Sequence, residues 1–153
     1  MHLALFPDGL EALADEAVVA RWARLIRLRD AVNAEIEKLR QQKIVGTSLA
    51  AKVRLEPRGD LARLLDGCRD DLPTLFITSQ VELAPRGDGG DAQSRGASWS
   101  DFVESDGSGA RIAVGRADGV RCERCWRFVP AVSSAPAHKG ICGRCEAALA
   151  DAG

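Results

Sequence analysis

The stretch that decides the fold of this chain lies near its C-terminus. Residues 120–149 read VRCERCWRFVPAVSSAPAHKGICGRCEAAL. They hold two Cys-x2-Cys pairs, Cys122 with Cys125 and Cys142 with Cys145, separated by sixteen residues. This spacing is typical of a four-thiolate zinc site, in which two tight turns each present two sulfurs to one ion. Because protein fills all four positions, we expect one structural Zn²⁺ rather than a catalytic one.

Other uses of paired cysteines fit the sequence less well. A disulfide framework requires an oxidising compartment, and no targeting segment is evident. A redox Cys-x2-Cys usually belongs to a larger α/β fold, and iron–sulfur clusters have different spacings. A zinc hydrolase would need an open coordination position and a general base, and neither is visible. His138 lies between the two pairs as an alternative ligand, whereas we expect the fifth cysteine, Cys68, to be a small buried apolar side chain.

Composition sets broad limits on the protein class. The chain has 153 residues, is 46% hydrophobic and 28% charged, and carries a formal net charge of −1. These values fit one domain or a few very small ones, and they exclude wholesale disorder. No apolar run is long enough to span a membrane and no signal peptide is evident, so we expect a cytoplasmic protein. The charge is uneven, since residues 1–54 and 119–153 each carry +2 and residues 55–118 carry −5.

The first third of the chain is predicted to be one long amphipathic helix over residues 9–43, with Asp8 and Glu11 at capping-box spacing. Its apolar stripe contains Trp22, Leu25, Val32, Ile36 and Leu39. A single helix cannot bury its own stripe. It either packs on the middle of the chain or finds partners outside this sequence, and the second alternative is the one we expect.

The middle of the chain predicts a small α/β region. The expected elements are a strand at 52–57, a helix at 60–68, a helical turn running into a strand at 80–84, a flexible loop at 86–109 and a strand at 111–115. The predicted class is therefore α+β, with a long helix from a partial helical bundle, a small mixed α/β connecting region and a C-terminal zinc finger or ribbon. The predicted boundaries are 1–48, 49–118 and 119–153.

Two stretches carry a family resemblance. Cys122-Glu-Arg-Cys125-Trp126-Arg127 and the run from Ile141 to Leu149 resemble the C-terminal zinc finger of bacterial isoleucyl-tRNA synthetases. Upstream, residues 43–49 and 75–83 resemble the end of the anticodon-binding helical domain and the small connecting region of that family. The resemblance covers essentially the whole chain. It implies a tRNA-binding region of an isoleucine–tRNA ligase, with isoleucine-accepting tRNA and the catalytic body of the synthetase as partners and with no membrane or DNA partner.

The catalytic motifs of that family, of His-Ile-Gly-His and Lys-Met-Ser-Lys-Ser type, are missing from this sequence. We therefore expect the chain alone not to activate isoleucine, and to be either a fragment or a freestanding module. The formamidopyrimidine-type DNA glycosylases have a related finger. They fit poorly because their N-terminal Pro-Glu is missing and Trp126 stands where their fingers tend to have Gly.

Candidate RNA contacts follow from the resemblance together with charge and stacking. Cationic side chains meet phosphate, and a tryptophan stacks on an unpaired base. The candidates are Arg29, Arg40 and Lys43 on the helix, and Arg124, Trp126 and Arg127 on the finger. Two alternatives stay open at this point. In the first, Trp126 covers the metal site and forms the small hydrophobic core of the finger. In the second, the whole chain is a structural or protein-interaction module that zinc holds together and that binds no RNA.

Overall fold

The structure is a computed structural model that describes Gly9, residues 15–85 and residues 99–150. Within these ranges the helices are α1 (Glu16–Gln41), α2 (Asp60–Asp66), α3 (Leu72–Leu75) and α4 (Gly143–Ala150). The strands are β1 (Ala51–Arg58), β2 (Gln80–Leu83), β3 (Trp99–Val103), β4 (Gly109–Arg116), β5 (Val120–Arg121) and β6 (Phe128–Val129). The predicted α+β class is confirmed. None of the helices in the described ranges is both long and apolar enough to cross a membrane.

A four-stranded mixed sheet forms the centre of the fold, in the order β2-β1-β4-β3. Strand β1 pairs in parallel with β2, and the β1–β4 and β4–β3 pairs are antiparallel. The longest ladder joins β1 to β4, from Ala51 opposite Arg116 to Arg58 opposite Gly109. Because side chains alternate along a strand, Ala51, Val53 and Leu55 share one face of β1, and all three are buried.

Helix α1 packs on this sheet. Leu25, Leu28, Val32 and Ile36 of α1 are buried in one cluster with residues of the strands, including Val53. The expectation that these apolar side chains need partners outside the sequence is therefore wrong, and the alternative of packing on the middle region is correct. The physical reason is that α1, α2 and α3 together cover one face of the sheet, which gives the stripe an apolar surface to pack on.

The buried stripe differs from the predicted one at two places. Leu28 is fully buried and is absent from the predicted series, whereas Trp22 is 48% exposed. The helix begins at Glu16 rather than at residue 9, because the carboxylate of Asp15 accepts hydrogen bonds from the N–H groups of Ala17 and Val18. The predicted Asp8–Glu11 capping box lies outside the described residues.

The elements predicted for residues 52–83 and 111–115 are confirmed with small shifts at their ends. The predicted loop over 86–109 is wrong at Trp99–Val103, which is β3, and at Gly109, where β4 begins. Residues 104–108 form the turn between these strands. Phe102 packs against the core, and the guanidinium of Arg111 lies 4.5 Å above the ring of Trp99. These two aromatic side chains anchor the edge strand within a segment whose Gly, Asp and Ser content suggested a loop. Residues 86–98 lie outside the described part of the chain.

Candidate functional site

The first cysteine pair sits on the hairpin formed by β5 and β6. Strand β5 pairs with β6 through Val120–Val129 and Arg121–Phe128, which turns the chain back on itself around Cys122 and Cys125. Gly119 begins this hairpin at φ 91°, and a Cβ at that position would lie 2.2 Å from the Val129 carbonyl oxygen. Only glycine fits so close to the neighbouring backbone.

The turn after Cys125 is a left-handed one. Trp126 has φ 63°, and its N–H donates to the Cys122 carbonyl oxygen at 3.0 Å. The Cys122 N–H donates in return to the Arg127 carbonyl oxygen at 2.9 Å. This closed turn holds the two sulfurs on one side. It also turns the indole of Trp126 outward, so that the residue is 61% exposed.

The second pair begins α4. The N–H groups of Cys145 and Glu146 donate to the Cys142 carbonyl oxygen at 2.8 and 3.0 Å, which forms the first turn of the helix. Across the site, the Cys142 N–H donates to Cys122 Sγ at 3.3 Å. The second turn is therefore bonded directly to a sulfur of the first.

The four cysteines converge. Their Sγ atoms all lie within 4.8 Å of one another. Cys122 Sγ is 3.9 Å from Cys145 Sγ, and Cys125 Sγ is 3.8 Å from Cys142 Sγ. A disulfide would require about 2.05 Å. A tetrahedron with metal–sulfur bonds of about 2.3 Å has edges of about 3.8 Å. The donor set and its spacing therefore fit a tetrahedral thiophilic cation.

The charge state of the sulfurs also suits a cation. Burial acts to raise the pKa of the Cys122 thiol, but N–H groups of Cys125, Cys142 and Arg124 that point at its sulfur outweigh burial and lower the pKa to about 6. At Cys125, burial and the neighbouring sulfurs raise the pKa to about 11. The site thus favours a first thiolate and resists further ones, because negative charges this close repel one another. A bound cation would remove that conflict.

His138, the alternative metal ligand, and Cys68, the fifth cysteine, lie apart from this cluster. His138 Nδ1 is 3.4 Å from a carboxylate oxygen of Glu146, and the cysteine cluster found within the described residues does not include it. The Cys68 thiol donates to the Leu64 carbonyl oxygen at 3.3 Å and packs against the main core. Burial raises the pKa of Cys68, so it stays a neutral thiol. The side chain is half-buried rather than buried as predicted.

The finger is docked on the main sheet, an arrangement that sequence reasoning missed. The Phe128 N–H donates to Ser79 Oγ at 2.7 Å, and the Ser79 hydroxyl donates to the Leu49 carbonyl oxygen. The side-chain amide of Gln80 makes two hydrogen bonds with the backbone of Asp118. A single serine before a strand gives no sequence signal for this role.

The predicted RNA-contact residues fall into separate places. Arg40 and Lys43 line one open cavity of about 310 Å³ where α1 ends, and Arg40 also pairs with Glu37 at 3.0 Å. Arg29 is half-buried on α1. On the finger, Arg124 is exposed, while Arg127 is half-buried and donates to Thr74 Oγ1 at 3.3 Å. The exposed indole of Trp126 contradicts the alternative that it forms a core over the metal. The small core there consists of the four cysteines with Val129, Val132 and Ile141.

Comparison with known proteins agrees with this geometry. Residues 119–148 match the model of a zinc finger found in FPG and IleRS. An isoleucine–tRNA ligase from Geobacter sulfurreducens is 36% identical over 150 residues, which cover 97% of this chain and 15% of that protein. The chain matches the C-terminal region of isoleucine–tRNA ligases.

Two further isoleucine–tRNA ligases extend the comparison. The one from Thermosynechococcus vestitus is 37% identical across 97% of this chain and 16% of its own length. The one from Acinetobacter baylyi is 36% identical across 82% of this chain and 12% of its own length. The chain thus spans about 15% of the length of the curated isoleucine–tRNA ligases it matches. Relatives that cover nearly the whole chain favour the ligase resemblance over the glycosylase one.

Proposed function

We propose that this chain is the tRNA-binding C-terminal region of an isoleucine–tRNA ligase, held together by one structural zinc ion and contacting the anticodon stem-loop of isoleucine-accepting tRNA. The observation that carries the proposal is the cluster of four cysteine sulfurs, with an exposed tryptophan directly after the first cysteine pair, in a chain that resembles these ligases along nearly its whole length. The proposed setting is cytoplasmic. The catalytic body of the synthetase is the proposed protein partner.

Zinc is the cation we propose because it forms tetrahedral four-thiolate sites and has no redox chemistry. Cys122, Cys125, Cys142 and Cys145 would be its ligands, and the ion would cross-link the β5–β6 hairpin to α4. The small apolar cluster around these sulfurs has only Val129, Val132 and Ile141 beside the cysteines. So small a core supplies little folding free energy, and the metal would supply most of it.

Two groups of residues are proposed to contact the RNA. Trp126 would stack on an unpaired base, with Arg124 beside it to meet phosphate. At the other group, Arg40 and Lys43 share a cavity on the surface, where two cations would meet one stretch of backbone. Arg29 is half-buried on α1, and Arg127 already donates a hydrogen bond to Thr74. These two arginines would therefore attract the RNA backbone through their positive charge and would not extend to contact it directly.

The experiment is a binding titration of the chain with isoleucine-accepting tRNA and with a noncognate tRNA over a series of salt concentrations. We expect tighter binding of the cognate tRNA and a steep loss of affinity with salt, because phosphate contacts release counterions. Trp126→Ala should weaken cognate binding by about 5- to 100-fold, the range for one stacked base. Equal, weak affinities for both tRNAs that Trp126→Ala leaves unchanged would contradict the proposal.

A second candidate function has one observation in its favour. Arg127 and the Phe128 N–H of the finger donate hydrogen bonds to Thr74 and Ser79. Contacts of this kind, made within the chain, are expected of a purely structural module. Such a module would fold the C-terminus against the synthetase body and touch no RNA. Salt distinguishes the two, because a module without phosphate contacts would show no steep salt dependence in the RNA titration.

A further inference from the structure

A groove lies between α1 and the α2–α3 segment, and the proposed site does not use it. It measures about 680 Å³, within the range of sites that hold small ligands. Its apolar lining includes Leu25, Leu64, Leu72 and Leu75. Leu25 and Leu72 are buried, so the base of the groove belongs to the rigid core.

The mouth of the groove combines an aromatic ring with cations. Trp22 lines it and is 48% exposed, which leaves the indole available to a ligand. Arg21 and Arg63 line the same groove and are exposed. The acidic groups nearby are Asp71, which also lines it, and Asp60, which pairs with Arg63. An aromatic face flanked by guanidinium groups is the arrangement that receives an unstacked base and its phosphate.

A hydrogen bond links this groove to the finger. Thr74 lines the groove, and its hydroxyl accepts the hydrogen bond from Arg127. Arg127 directly follows Trp126 in the chain. This arginine–threonine contact therefore joins the residue next to Trp126 to the lining of the groove that Trp22 also lines.

We propose that the Trp22 groove holds one unstacked nucleotide of the RNA whose neighbouring part contacts Trp126. The base stacks on the indole of Trp22, and Arg21 and Arg63 face its phosphate. The Thr74 hydroxyl and the Asp71 carboxylate, both in the lining, are the polar groups within the groove that read the base edge or the ribose hydroxyl. This inference rests on the proposed RNA-binding function and adds to it a second base site.

The test measures affinity for two RNAs of equal phosphate number. One is a hairpin with the sequence of the isoleucine anticodon arm and a single-stranded loop, and the other is a fully paired duplex. Trp22→Ala should weaken hairpin binding by about 5- to 100-fold and duplex binding by less than about 2-fold, since only unpaired bases stack on the ring. Trp22→Phe should restore most of the hairpin affinity. Arg21→Gln should weaken the binding of both RNAs and reduce the salt slope by about one.

Ile26→Ala is the matched control. Ile26 lies one turn from Trp22 on the same helix, is 49% exposed and does not line the groove. Its substitution should leave both affinities unchanged. If Trp126→Ala weakens hairpin binding and Trp22→Ala does not, the groove proposal is overturned and the proposed function stands. If the chain binds neither RNA, both fail. If Trp22→Ala and Ile26→Ala weaken binding equally, the groove has no base-specific role and the groove proposal is overturned.

Discussion

Arg24 of α1 and Glu104, which follows strand β3, form the most extensive ion pair in the described structure. Arg24 Nη2 donates to Glu104 Oε2 at 2.6 Å, and Arg24 Nε lies 3.0 and 3.1 Å from the two carboxylate oxygens. The Glu104 side chain is only 5% exposed. Ser108 and Arg27 also donate to this carboxylate. The contact ties the long helix to the β3–β4 hairpin across eighty residues of sequence.

Replacing Glu104 by Gln should destabilise the fold by about 1–3 kcal/mol near neutral pH, because charge-assisted hydrogen bonds at a buried carboxylate are lost. Urea unfolding followed by circular dichroism would measure the change. Glu37→Gln removes an exposed pair with Arg40 on the same helix and should cost less than about 0.5 kcal/mol. Equal effects from the two substitutions would contradict a special role for Glu104.

The same ion pair should make stability depend on pH. The hydrogen bond from Arg24, assisted by Ser108 and Arg27, holds the pKa of Glu104 below its ordinary value of 4.5. A carboxyl with a lowered folded pKa stabilises the protein above its unfolded pKa, and that stabilisation disappears as pH falls through the folded pKa. The stability difference between the wild type and Glu104→Gln should therefore be constant at neutral pH and shrink below about pH 4.5. A difference that stays constant down to about pH 3 would refute this.

Core packing gives a contrast along α1. Leu28 is fully buried against the sheet and Trp22 is half-exposed at the groove. Leu28→Ala should cost about 2–5 kcal/mol of unfolding free energy, since it leaves a cavity between helix and sheet. Trp22→Ala should cost well under half of that. If both variants unfold at the same denaturant concentration, α1 does not pack on the sheet as described.

Ser79 should control how firmly the finger is held on the sheet. Ser79→Ala leaves the Phe128 N–H without its partner and should cost about 1–2 kcal/mol. Hydrogen exchange at the Phe128 amide should speed up while the metal content stays unchanged. Ser133→Ala, which alters a serine that accepts only a longer bond of 3.3 Å from Ala135, is the control and should leave both readouts unaltered.

Metal content tests the cysteine cluster. We expect one zinc per chain in the wild type, and Cys142→Ser should lose it together with protection from hydrogen exchange over residues 119–150, because metal binding and folding of such a module are coupled. Cys68→Ser is the matched control. It changes a cysteine outside the cluster and should keep its zinc. Retained zinc and an intact finger in Cys142→Ser would refute the four-thiolate assignment.

Replacing Trp126 by glycine should affect the stability of the finger and its RNA binding in opposite ways. Its left-handed φ of 63° is costly for a residue with a Cβ and free of cost for glycine. Trp126→Gly should therefore leave the finger equally stable or stabilise it by up to about 1 kcal/mol, whereas Trp126→Ala keeps the strain and gains nothing. Both variants should bind tRNA more weakly. Thermal unfolding monitored with zinc release, run beside the RNA titration, would measure the two effects.

The sequence determines the finger more completely than the rest of the fold. Four cysteines at fixed spacing constrain a site locally, so the spacing alone predicts that Cys122, Cys125, Cys142 and Cys145 lie together, as they do. Strand β1 is equally clear because Val53 and Leu55 alternate with polar residues. In both cases the signal lies within a few neighbouring residues.

The features that sequence reasoning missed depend on distant contacts. Strand β3 lies in a polar segment and is fixed by its ladder to β4, and Arg24 and Glu104 are eighty residues apart in sequence. Periodicity places Trp22 on the buried stripe of α1, but the sheet meets the helix through Leu25, Leu28 and Val32, and Trp22 lies at the mouth of the groove. Which face of a helix is buried depends on the surface on which the helix packs, and the helix sequence alone does not specify that surface.

The pairing of β1 with β4 has a consequence for how the chain acquires its shape over time. Ala51 pairs with Arg116 and Arg58 with Gly109, so the two central strands of the sheet are joined by a long intervening segment of the chain. Pairings so distant in sequence are slow to form, whereas the two cysteine turns are about twenty residues apart and meet quickly. During synthesis, β1 emerges well before β4, and the edge of β1 that pairs with β4 stays without its partner until that strand arrives. We therefore expect the finger to assemble as a separate, faster unit, and the sheet to be the step that limits the rate of folding and carries the risk of aggregation.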